Sequence, residues 1–371
     1  MSRLDELIEE YCPEGVEYKS IDSLCYISAG GDKPKDYYSD VKTEECSIPI
    51  ISNGVGSNAL YGYTNISKIN KPAVTISARG TIGYTEYRDY SFYPIIRLLT
   101  LIPKNNSLLN TKYLYYCLQG REYKVPVTGI PQLTAPNIKK EKIPLPPLPV
   151  QEELVRILDT FTELTTELTT ELTLRKKQYE YYRDGLLKFG EEVEIYNLAD
   201  ITDIVRGKRV VRNQLSENEG YPVYQNSMVP LGYYDHYNVS EDTTFMIVAG
   251  AAGEIGYSYD KFWAADDCFY FKCDDRLIDR YLYHSLMNKQ DEIKRRVRKA
   301  SIPRISRESI EKIKIPLPSL KLQERIVYVL DHFDKVCNDL NIGLPAEIEL
   351  RNKQYEYYRD KLLSFKVKEI V

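Results

Sequence analysis

The stretch RKKQYEYYRDGLLKF at residues 175–189 returns as RNKQYEYYRDKLLSF at residues 351–365, which is 176 residues further along the chain. A second stretch, IPLPPLPVQEELVRILDTF at residues 143–161, returns as IPLPSLKLQERIVYVLDHF at residues 315–333. Matches of this length do not arise by chance, and internal repetition determines the architecture of a chain. The 371 residues are therefore predicted to form two copies of one unit.

Weaker matches extend the repeat upstream. IPIISN at residues 48–53 matches YPVYQN at residues 221–226, and ARGTIGY at residues 78–84 is aligned with AAGEIGY at residues 251–257. The upstream parts have diverged, whereas the downstream parts are almost the same sequence. We expect four segments: head 1 at residues 1–142, a first linker and spacer helix at residues 143–190, head 2 at residues 191–314, and a second linker and spacer helix at residues 315–371.

The downstream parts have the pattern of long helices. Apolar residues follow each other at steps of three and four, which is typical of a helix that buries one face; they are Leu154, Leu158, Phe161, Leu168, Leu172, Tyr179, Tyr182 and Leu186. The second copy is interrupted by Gly343 and Pro345, and Pro345 is expected to begin a new helical segment. The predicted fold is α+β, with two heads related by pseudo-two-fold symmetry and separated by two long antiparallel coiled-coil helices.

Composition excludes several classes of protein. The hydrophobic content of 43% and charged content of 28% are those of a folded chain. No run of 18 apolar residues is present, and the N-terminal residues are acidic without an apolar signal region, so we expect a cytoplasmic protein with no membrane segment. Seven scattered cysteines without a CxxC pair, and three histidines, predict no metal site.

Basic and polar residues gather in segments of both heads. Arginine, glutamine and asparagine read base edges in the DNA major groove, and lysine mostly positions the phosphate backbone. A net charge of −4 argues mildly against simple DNA binding, and a solvated charged surface is an equally simple explanation for any single cluster. The predicted DNA-binding residues are Lys33, Lys35, Asn53, Arg79, Lys124, Thr128 and Gln132 in head 1, and Arg206, Lys208, Arg209, Arg212, Asn226, Arg296, Arg298, Lys299 and Arg304 in head 2.

The sequence contains no recognisable catalytic motif. The glycine-rich stretches SARGTIGY and AGAAGEIGY lack the GxxxxGK[ST] pattern, so a tight turn is favoured over a nucleotide site. No Asn-Pro-Pro-aromatic methyltransferase motif is present, and the acid pairs at 266–267 and 274–275 are better explained as surface charge. We predict a DNA-binding adaptor that is not an enzyme. A DNA-modifying enzyme with an unrecognised motif, or a structural tether between proteins, remain the alternatives.

The two repeated blocks, together with NIGLPAEIELRNKQYEYYRDKLLSF at residues 341–365, resemble the specificity (S) subunits of type I restriction–modification systems over the whole chain. The resemblance implies two target-recognition domains, each reading one half of a bipartite, asymmetric site in double-stranded DNA. It also implies two methyltransferase (M) subunits and restriction (R) subunits as partners. S-adenosylmethionine, ATP and Mg are expected on those partners, with no cofactor in this chain. Individual base-reading residues do not follow from the resemblance.

Two features of the helices acquire a role from this resemblance. Tyrosines at repeated positions are expected to serve helix packing and M docking; they are Tyr179, Tyr181, Tyr182, Tyr355, Tyr357 and Tyr358. The run TELTTELTTELT at residues 162–173 writes one four-residue unit three times. Four helical residues rise about 6 Å, and DNA rises about 3.4 Å per base pair. The run is therefore predicted to set the spacing between the two half-sites.

Overall fold

The structure is a computed structural model that describes residues 2–125, 131–338 and 342–368. It divides into two units, each assembled around its own head. Unit 1 comprises Met1–Glu167 and Glu349–Val371, and unit 2 comprises Leu168–Ile348. Each unit therefore combines a head with the beginning of its own spacer helix and the end of the spacer helix of the other copy.

Head 1 is built on two four-stranded sheets. Its helices are α1 (Arg3–Tyr11), α2 (Ile21–Leu24), α3 (Thr111–Leu118) and α4 (Ala135–Lys140). Its strands are β1 (Tyr18–Ser20), β2 (Cys25–Ala29), β3 (Tyr38–Ser39), β4 (Ile48–Ile51), β5 (Leu60–Thr64), β6 (Ala73–Ile76), β7 (Thr85–Arg88), β8 (Tyr93–Pro94), β9 (Leu99–Pro103) and β10 (Lys142–Pro144). The strand orders are β2-β9-β6-β7 and β3-β5-β4-β8, and β1 pairs separately with β10. The buried side chains of β6 and β9 pack against α3.

A single helix, α5 (Leu148–Leu186), follows head 1 and leads into head 2. The strands of head 2 are β11 (Ile195–Asn197), β12 (Thr202–Arg206), β13 (Tyr221–Tyr224), β14 (Tyr233–Tyr234), β15 (Thr243–Ile247), β16 (Ile255–Ser258), β17 (Trp263–Ala264), β18 (Cys268–Cys273) and β19 (Lys314–Pro316). Its helices are α6 (Asp279–Asn288), α7 (Gln290–Arg295) and α8 (Arg307–Glu311). The sheet β12-β18-β15-β16 repeats the order of the first sheet of head 1, and β11 pairs with β19 as β1 pairs with β10. Mixed helices and sheets thus confirm the predicted fold class.

The structure corrects the alignment predicted for the glycine-rich turns. Gly83 N–H donates to the Ser77 carbonyl, and the same hydrogen bond in head 2 joins Gly253 to Ile247. The turn glycines with positive φ are Gly80 (69°) and Gly83 (87°) in head 1, and Gly250 (80°) and Gly253 (85°) in head 2. Residues 78–84 therefore correspond to residues 248–254 and not to residues 251–257.

A buried glutamine fixes each linker to its head in the same way. Gln151 Oε1 accepts a hydrogen bond from the Asn110 N–H (2.9 Å), and its Nε2 donates to two carbonyls, Leu108 (2.9 Å) and Pro146 (2.7 Å). Gln323 repeats all three contacts in head 2. Because both side chains are fully buried, each bond satisfies a backbone group that would otherwise be buried without a partner. The orientation of each helix start is thereby tied to its head.

The spacer helices pair inside each unit. The second copy forms α9 (Leu320–Asn338) and α10 (Leu344–Leu362), which confirms the predicted break and places Pro345 in the first turn of α10. In unit 1, Phe161 of α5 stacks on Tyr358 of α10, with ring centroids 5.7 Å apart. In unit 2, Phe333 of α9 stacks on Tyr182 of α5 at 5.4 Å. The two stacks occupy equivalent repeat positions.

The threonines of the TELT run are compatible with a continuous helix. The hydroxyls of Thr162 and Thr173 donate to the carbonyls four residues earlier, at 3.0 Å in both cases. Leu164 is exposed, whereas Leu168 and Leu172 are half-buried. The run therefore forms helix without contributing a fully buried apolar row.

The seven cysteines are all free thiols, and six of them are buried. Burial raises the pKa of the Cys25 and Cys117 thiols to about 12, which suits packing better than reactivity. Among the described residues, no group of three or more histidine, cysteine, aspartate or glutamate side chains is placed to hold a metal ion. No helix within that part of the chain is long and apolar enough to cross a membrane.

Candidate nucleic-acid interface

Asn53 organises a junction of three loops at one end of head 1. Its Oδ1 accepts a hydrogen bond from the Ala78 N–H (2.9 Å), and its Nδ2 donates to the Ile96 carbonyl. The Thr81 hydroxyl donates to the Asn53 carbonyl at 2.8 Å. The loop after β4, the glycine turn after β6 and the turn between β8 and β9 therefore meet at this residue. The Asn53 side chain itself is used for holding the junction together.

Two arginines converge on one glutamine at this junction. Gln132 Oε1 accepts hydrogen bonds from Arg79 Nε (3.2 Å) and Nη2 (2.9 Å), and from Arg97 Nη1 (3.1 Å). Arg79 and Gln132 are half-buried, and Arg97 is exposed. A guanidinium group has five N–H donors and no acceptor. Most N–H donors of Arg79 and Arg97 are thus not used by Gln132. The junction presents two guanidinium cations in fixed positions.

The backbone that presents Arg97 is strained. Ile96 and Arg97 have φ of 52° and 59°, a region that bulky residues rarely adopt. Hydrogen bonds from the Ile96 N–H to the Gly31 carbonyl and from the Arg97 N–H to the Gly30 carbonyl, both 2.9 Å, hold the turn. A Cβ at Gly30 would lie 2.8 Å from the Ile95 backbone, so this glycine allows the close approach. Strain that the surroundings enforce in this way is concentrated at functional sites.

A cavity of about 380 Å³ opens beside the two arginines. It is lined by Gly30, Gly31, Asp32, Lys33, Tyr61, Arg79, Ile95, Ile96 and Arg97. The Lys33 ammonium lies 4.7 Å from the ring centroid of Tyr38 and 5.7 Å from that of Tyr61. A hydrogen bond to Asp40 raises the pKa of Tyr38 to about 12, so its ring stays neutral under the cation. The structure thus brings Lys33, Asn53, Arg79 and Gln132 together out of the residues predicted for head 1.

Head 2 has the same junction with different side chains. The Ala251 N–H donates to the Asn226 carbonyl at 2.9 Å, and Ala249 forms a β-bridge with Arg304. Arg304 Nη2 lies 3.7 Å from Asp267 Oδ1, and the Arg298 N–H donates to the Arg304 carbonyl at 2.8 Å. Arg304 thus stands where head 1 has Gln132. Asp267 lies directly before Cys268, the first residue of β18, and Arg97 lies directly before Leu98. Because Cys268 matches Leu98, Asp267 is the counterpart of Arg97.

The remaining predicted residues of the heads do not share one cluster. Arg296 is half-buried and donates to the Ser309 carbonyl (3.0 Å) and to Glu292 (2.5 Å), so its contacts join α7 to α8. Arg206 Nε donates to the Asp266 carbonyl at 3.0 Å. The exposed side chains without a role in these junctions are Lys35, Lys124, Lys208, Arg209, Arg212 and Lys299. Thr128 lies outside the described residues.

Arg97 was missed by the sequence prediction. It follows an apolar run, YPII at residues 93–96, and no repeat match marks it. Its place at the junction depends on the turn between β8 and β9, which has no characteristic residue pattern. A basic residue in an apolar segment is the one signal that the sequence offers.

The two heads correspond to two matches with one known protein family. A family model described as the type I restriction modification DNA specificity domain matches residues 13–175 and again residues 190–350. The chain belongs to this family. A type I restriction enzyme specificity subunit of Escherichia coli is 32% identical over 413 aligned positions, covering 100% of this chain and 99% of the relative. A putative specificity subunit of Haemophilus influenzae is 33% identical over 283 positions, covering 69% of this chain and 73% of the relative.

A solved structure of this specificity family has the same fold. The S subunit of a type I restriction–modification system from M. genitalium superposes with a TM-score of 0.66 at 20% identity, covering 96% of this chain and 97% of that one. A second solved structure, described as showing assembly and conformational transition of a type I system, gives a TM-score of 0.54 at 14% identity, covering 94% of this chain and 97% of that one. At these identities the likeness concerns the fold.

The helix tyrosines of this specificity-family chain divide into two groups. Tyr182 and Tyr358 form the stacks already described. The ring centroid of Tyr179 lies 6.4 Å from that of Phe333, and the Tyr355 hydroxyl donates a hydrogen bond to the Gln119 side chain. Burial raises the pKa of Tyr179 and of Tyr355, as expected for packed rings. Tyr181 and Tyr357 are 76% and 62% exposed. The same position thus faces solvent in both copies, whereas the other four contribute to packing inside their own unit.

Proposed function

We propose that this chain is the specificity subunit of a type I restriction–modification complex and reads a bipartite, asymmetric target in double-stranded DNA. The observation that carries the proposal is that one loop junction occurs in both heads with different charged side chains. Two such heads on one chain suit a target whose halves differ in sequence. Family membership over the full chain supports the same function.

In this proposal the chain is not an enzyme but an adaptor. It binds two M subunits and, with them, R subunits, and the chemistry with S-adenosylmethionine, ATP and Mg takes place on those partners. The helices act as a spacer between the heads, and the segment boundaries remain those predicted at residues 142, 190 and 314. Purified chain that methylates or cuts DNA without partners would contradict the adaptor role.

The exposed tyrosines are the part of the helices that we assign to M docking. Tyr181 and Tyr357 present large amphipathic rings at equivalent positions, and tyrosine is enriched in protein interfaces. Each ring lies against its neighbouring tyrosine, Tyr182 or Tyr358, in an edge-to-face arrangement with centroids 5.7 Å and 5.4 Å apart. The neighbours are held by their stacks on Phe333 and Phe161, so the exposed rings have a fixed base.

The decisive experiment is a map of methylated adenines. The chain is expressed with an M subunit of a type I system in a host free of DNA methylation, and the genome is sequenced by a method that detects the modified base. We expect one split motif with two different halves and an unspecified spacer. Cells that express M alone provide the control. The absence of any split motif would contradict the proposed function.

A further inference from the structure

The two arginines at the head 1 junction have the geometry of a base reader. In the major groove, guanine presents two acceptors, N7 and O6, whereas adenine and cytosine each present an amino donor. The guanidinium groups of Arg79 and Arg97 carry donors alone. Two donor groups held side by side match the two acceptors of guanine and conflict with the amino groups of adenine and cytosine, whereas thymine offers one acceptor, O4, beside its methyl group. Resting on the proposed function, we propose that Arg79 and Arg97, aligned by Gln132, read guanine in the half-site bound by head 1.

Gln132 is the positioning residue of this reader. One amide oxygen takes three N–H donors from two guanidinium groups, so it fixes both planes and partly offsets their repulsion. The strained turn at Ile96 and Arg97 supplies the second constraint, because it is tied by hydrogen bonds to Gly30, Gly31 and Asn53. Side chains that are fixed before binding lose less conformational entropy when the complex forms. The arrangement therefore favours discrimination between bases over loose attraction.

The residues at the equivalent positions of head 2 indicate that the arginines of head 1 contact bases and not phosphates. The positions equivalent to Arg79, Arg97 and Gln132 hold Ala249, Asp267 and Arg304. A phosphate contact is the same at every half-site, so a position used for it is expected to be basic in both heads. Asp267 has the opposite charge to Arg97 and would repel a phosphate. A change of sign at one structural position fits contact with bases, which differ between the half-sites.

The backbone differs along with the side chains. Among the described residues of head 2, neither Asp266 nor Asp267 has a positive φ, whereas both Ile96 and Arg97 do. The strained turn is thus a property of the head that carries the arginine pair. This restricts the guanine reader to head 1 and predicts that substitutions in it alter one half of the motif.

The test uses the full chain with its M subunits. The methylated motif is mapped for the wild type and for Arg97→Ala, Arg79→Ala and Gln132→Ala. We expect all three to make the same guanine position, or two adjacent ones, degenerate in one half-site. Competition binding with duplexes that carry each other base at that position should show discrimination falling about tenfold or more. The other half-site must stay unchanged, and it serves as the folding control within the same molecule.

Two further variants keep the result interpretable. Arg97→Gly removes the guanidinium group and accepts the positive φ, so loss of guanine reading in this variant excludes backbone strain as the cause. Asp267→Asn is the matched variant in head 2 and should change the other half-site alone.

Three results would overturn the inference. An unchanged motif in Arg97→Ala and Arg97→Gly would exclude base reading while leaving the split motif, and with it the proposed function, intact. Uniformly weaker binding to all sequences, with a salt slope reduced by about one, would assign these arginines to phosphates. A wild type that yields no split motif would remove the proposed function and the inference together.

Discussion

Replacing Asp331 by alanine tests how head 2 is attached to its spacer helix. Asp331 of α9 accepts hydrogen bonds from Arg280 Nε and from His284 Nε2, both at 2.7 Å. The Arg280 side chain is 8% exposed and that of His284 is fully buried, whereas Asp331 is 27% exposed. Arg280 also lies 4.5 Å from the ring of Tyr283. Removing the carboxylate therefore leaves two enclosed donors without their shared acceptor.

The expected loss follows from these contacts. A hydrogen bond that involves a charged group contributes about 1.5–3 kcal/mol, and two are removed. Arg280 keeps a second carboxylate, Asp334, at 3.0 Å, and the exposed part of the site admits water, so the lower end of the range applies. We expect the free energy of unfolding of unit 2 to fall by about 3 kcal/mol.

The chain provides both the probe and the control. Its single tryptophan, Trp263, lies in head 2, so urea unfolding followed by tryptophan fluorescence reports on unit 2. Asp159→Ala is the matched variant in unit 1, where Lys112 (2.6 Å, 36% exposed) and the Tyr116 hydroxyl are the partners. Because Lys112 returns to water and only the neutral Tyr116 hydroxyl loses a buried acceptor, a smaller loss of about 1–2 kcal/mol is expected there by circular dichroism. Equal losses in the two variants, or a loss below about 1 kcal/mol for Asp331→Ala, would refute this reasoning.

Four further predictions concern pH, packing, spacing and docking. Burial holds the pKa of His284 below its ordinary value, so the unfolded chain takes up the proton first as pH falls. Unit 2 should therefore lose stability below about pH 7, which is measured as a falling urea midpoint. In His284→Tyr this dependence of the urea midpoint on pH should disappear. Gln323→Ala leaves three backbone groups without partners and should cost unit 2 about 2–4 kcal/mol in the same assay, whereas a cost under 1 kcal/mol would show that the backbone finds other partners. Deleting residues 166–169 should shorten the unspecified spacer by one to two base pairs, about 6 Å of helix, while both half-sites keep their sequence; an unchanged spacer in the methylation map would count against the spacing role. Replacing Tyr181 and Tyr357 together by alanine should weaken M binding by about tenfold or more in a titration, and undiminished co-purification with M would remove them from the interface.

Most of the fold was predicted from the internal repeat, because two nearly identical helical segments are expected to pack against equivalent residues. The two phenylalanine–tyrosine stacks and the two buried glutamines occur at positions that the repeat alone matches. The break near Pro345 was also predicted correctly, since proline acts locally.

The glycine-rich turns show where pattern matching fails. Head 2 has glycines at 250, 253 and 256, so the three-residue spacing of Gly80 and Gly83 fits two alignments. Positive φ at Gly250 and Gly253 selects one of them, while Gly256 lies within β16. Backbone conformation, which the sequence does not state, decided the correspondence.

The sequence predicted that basic and polar residues of the heads form the site, but not which of these residues contact one another. Arg79 and Gln132 were predicted separately, and their partner Arg97 was not, because the contact joins three loops that are distant in sequence. Arg296 lies in a run of cations that looks like a binding face, yet its hydrogen bonds are made within its own head. Charge density along a sequence does not reveal which cations are already paired.

The composition of the two units has a consequence for synthesis on the ribosome. Unit 2 is one continuous stretch, Leu168–Ile348, whereas unit 1 needs Glu349–Val371 to add to Met1–Glu167. Domains tend to fold as their residues emerge. The second head in the chain is therefore the first to have all its residues available, and head 1 waits with the stacking surface of Phe161 uncovered until Tyr358 has been made. A chain truncated after Ile348 would leave its earliest part incomplete and its later part whole.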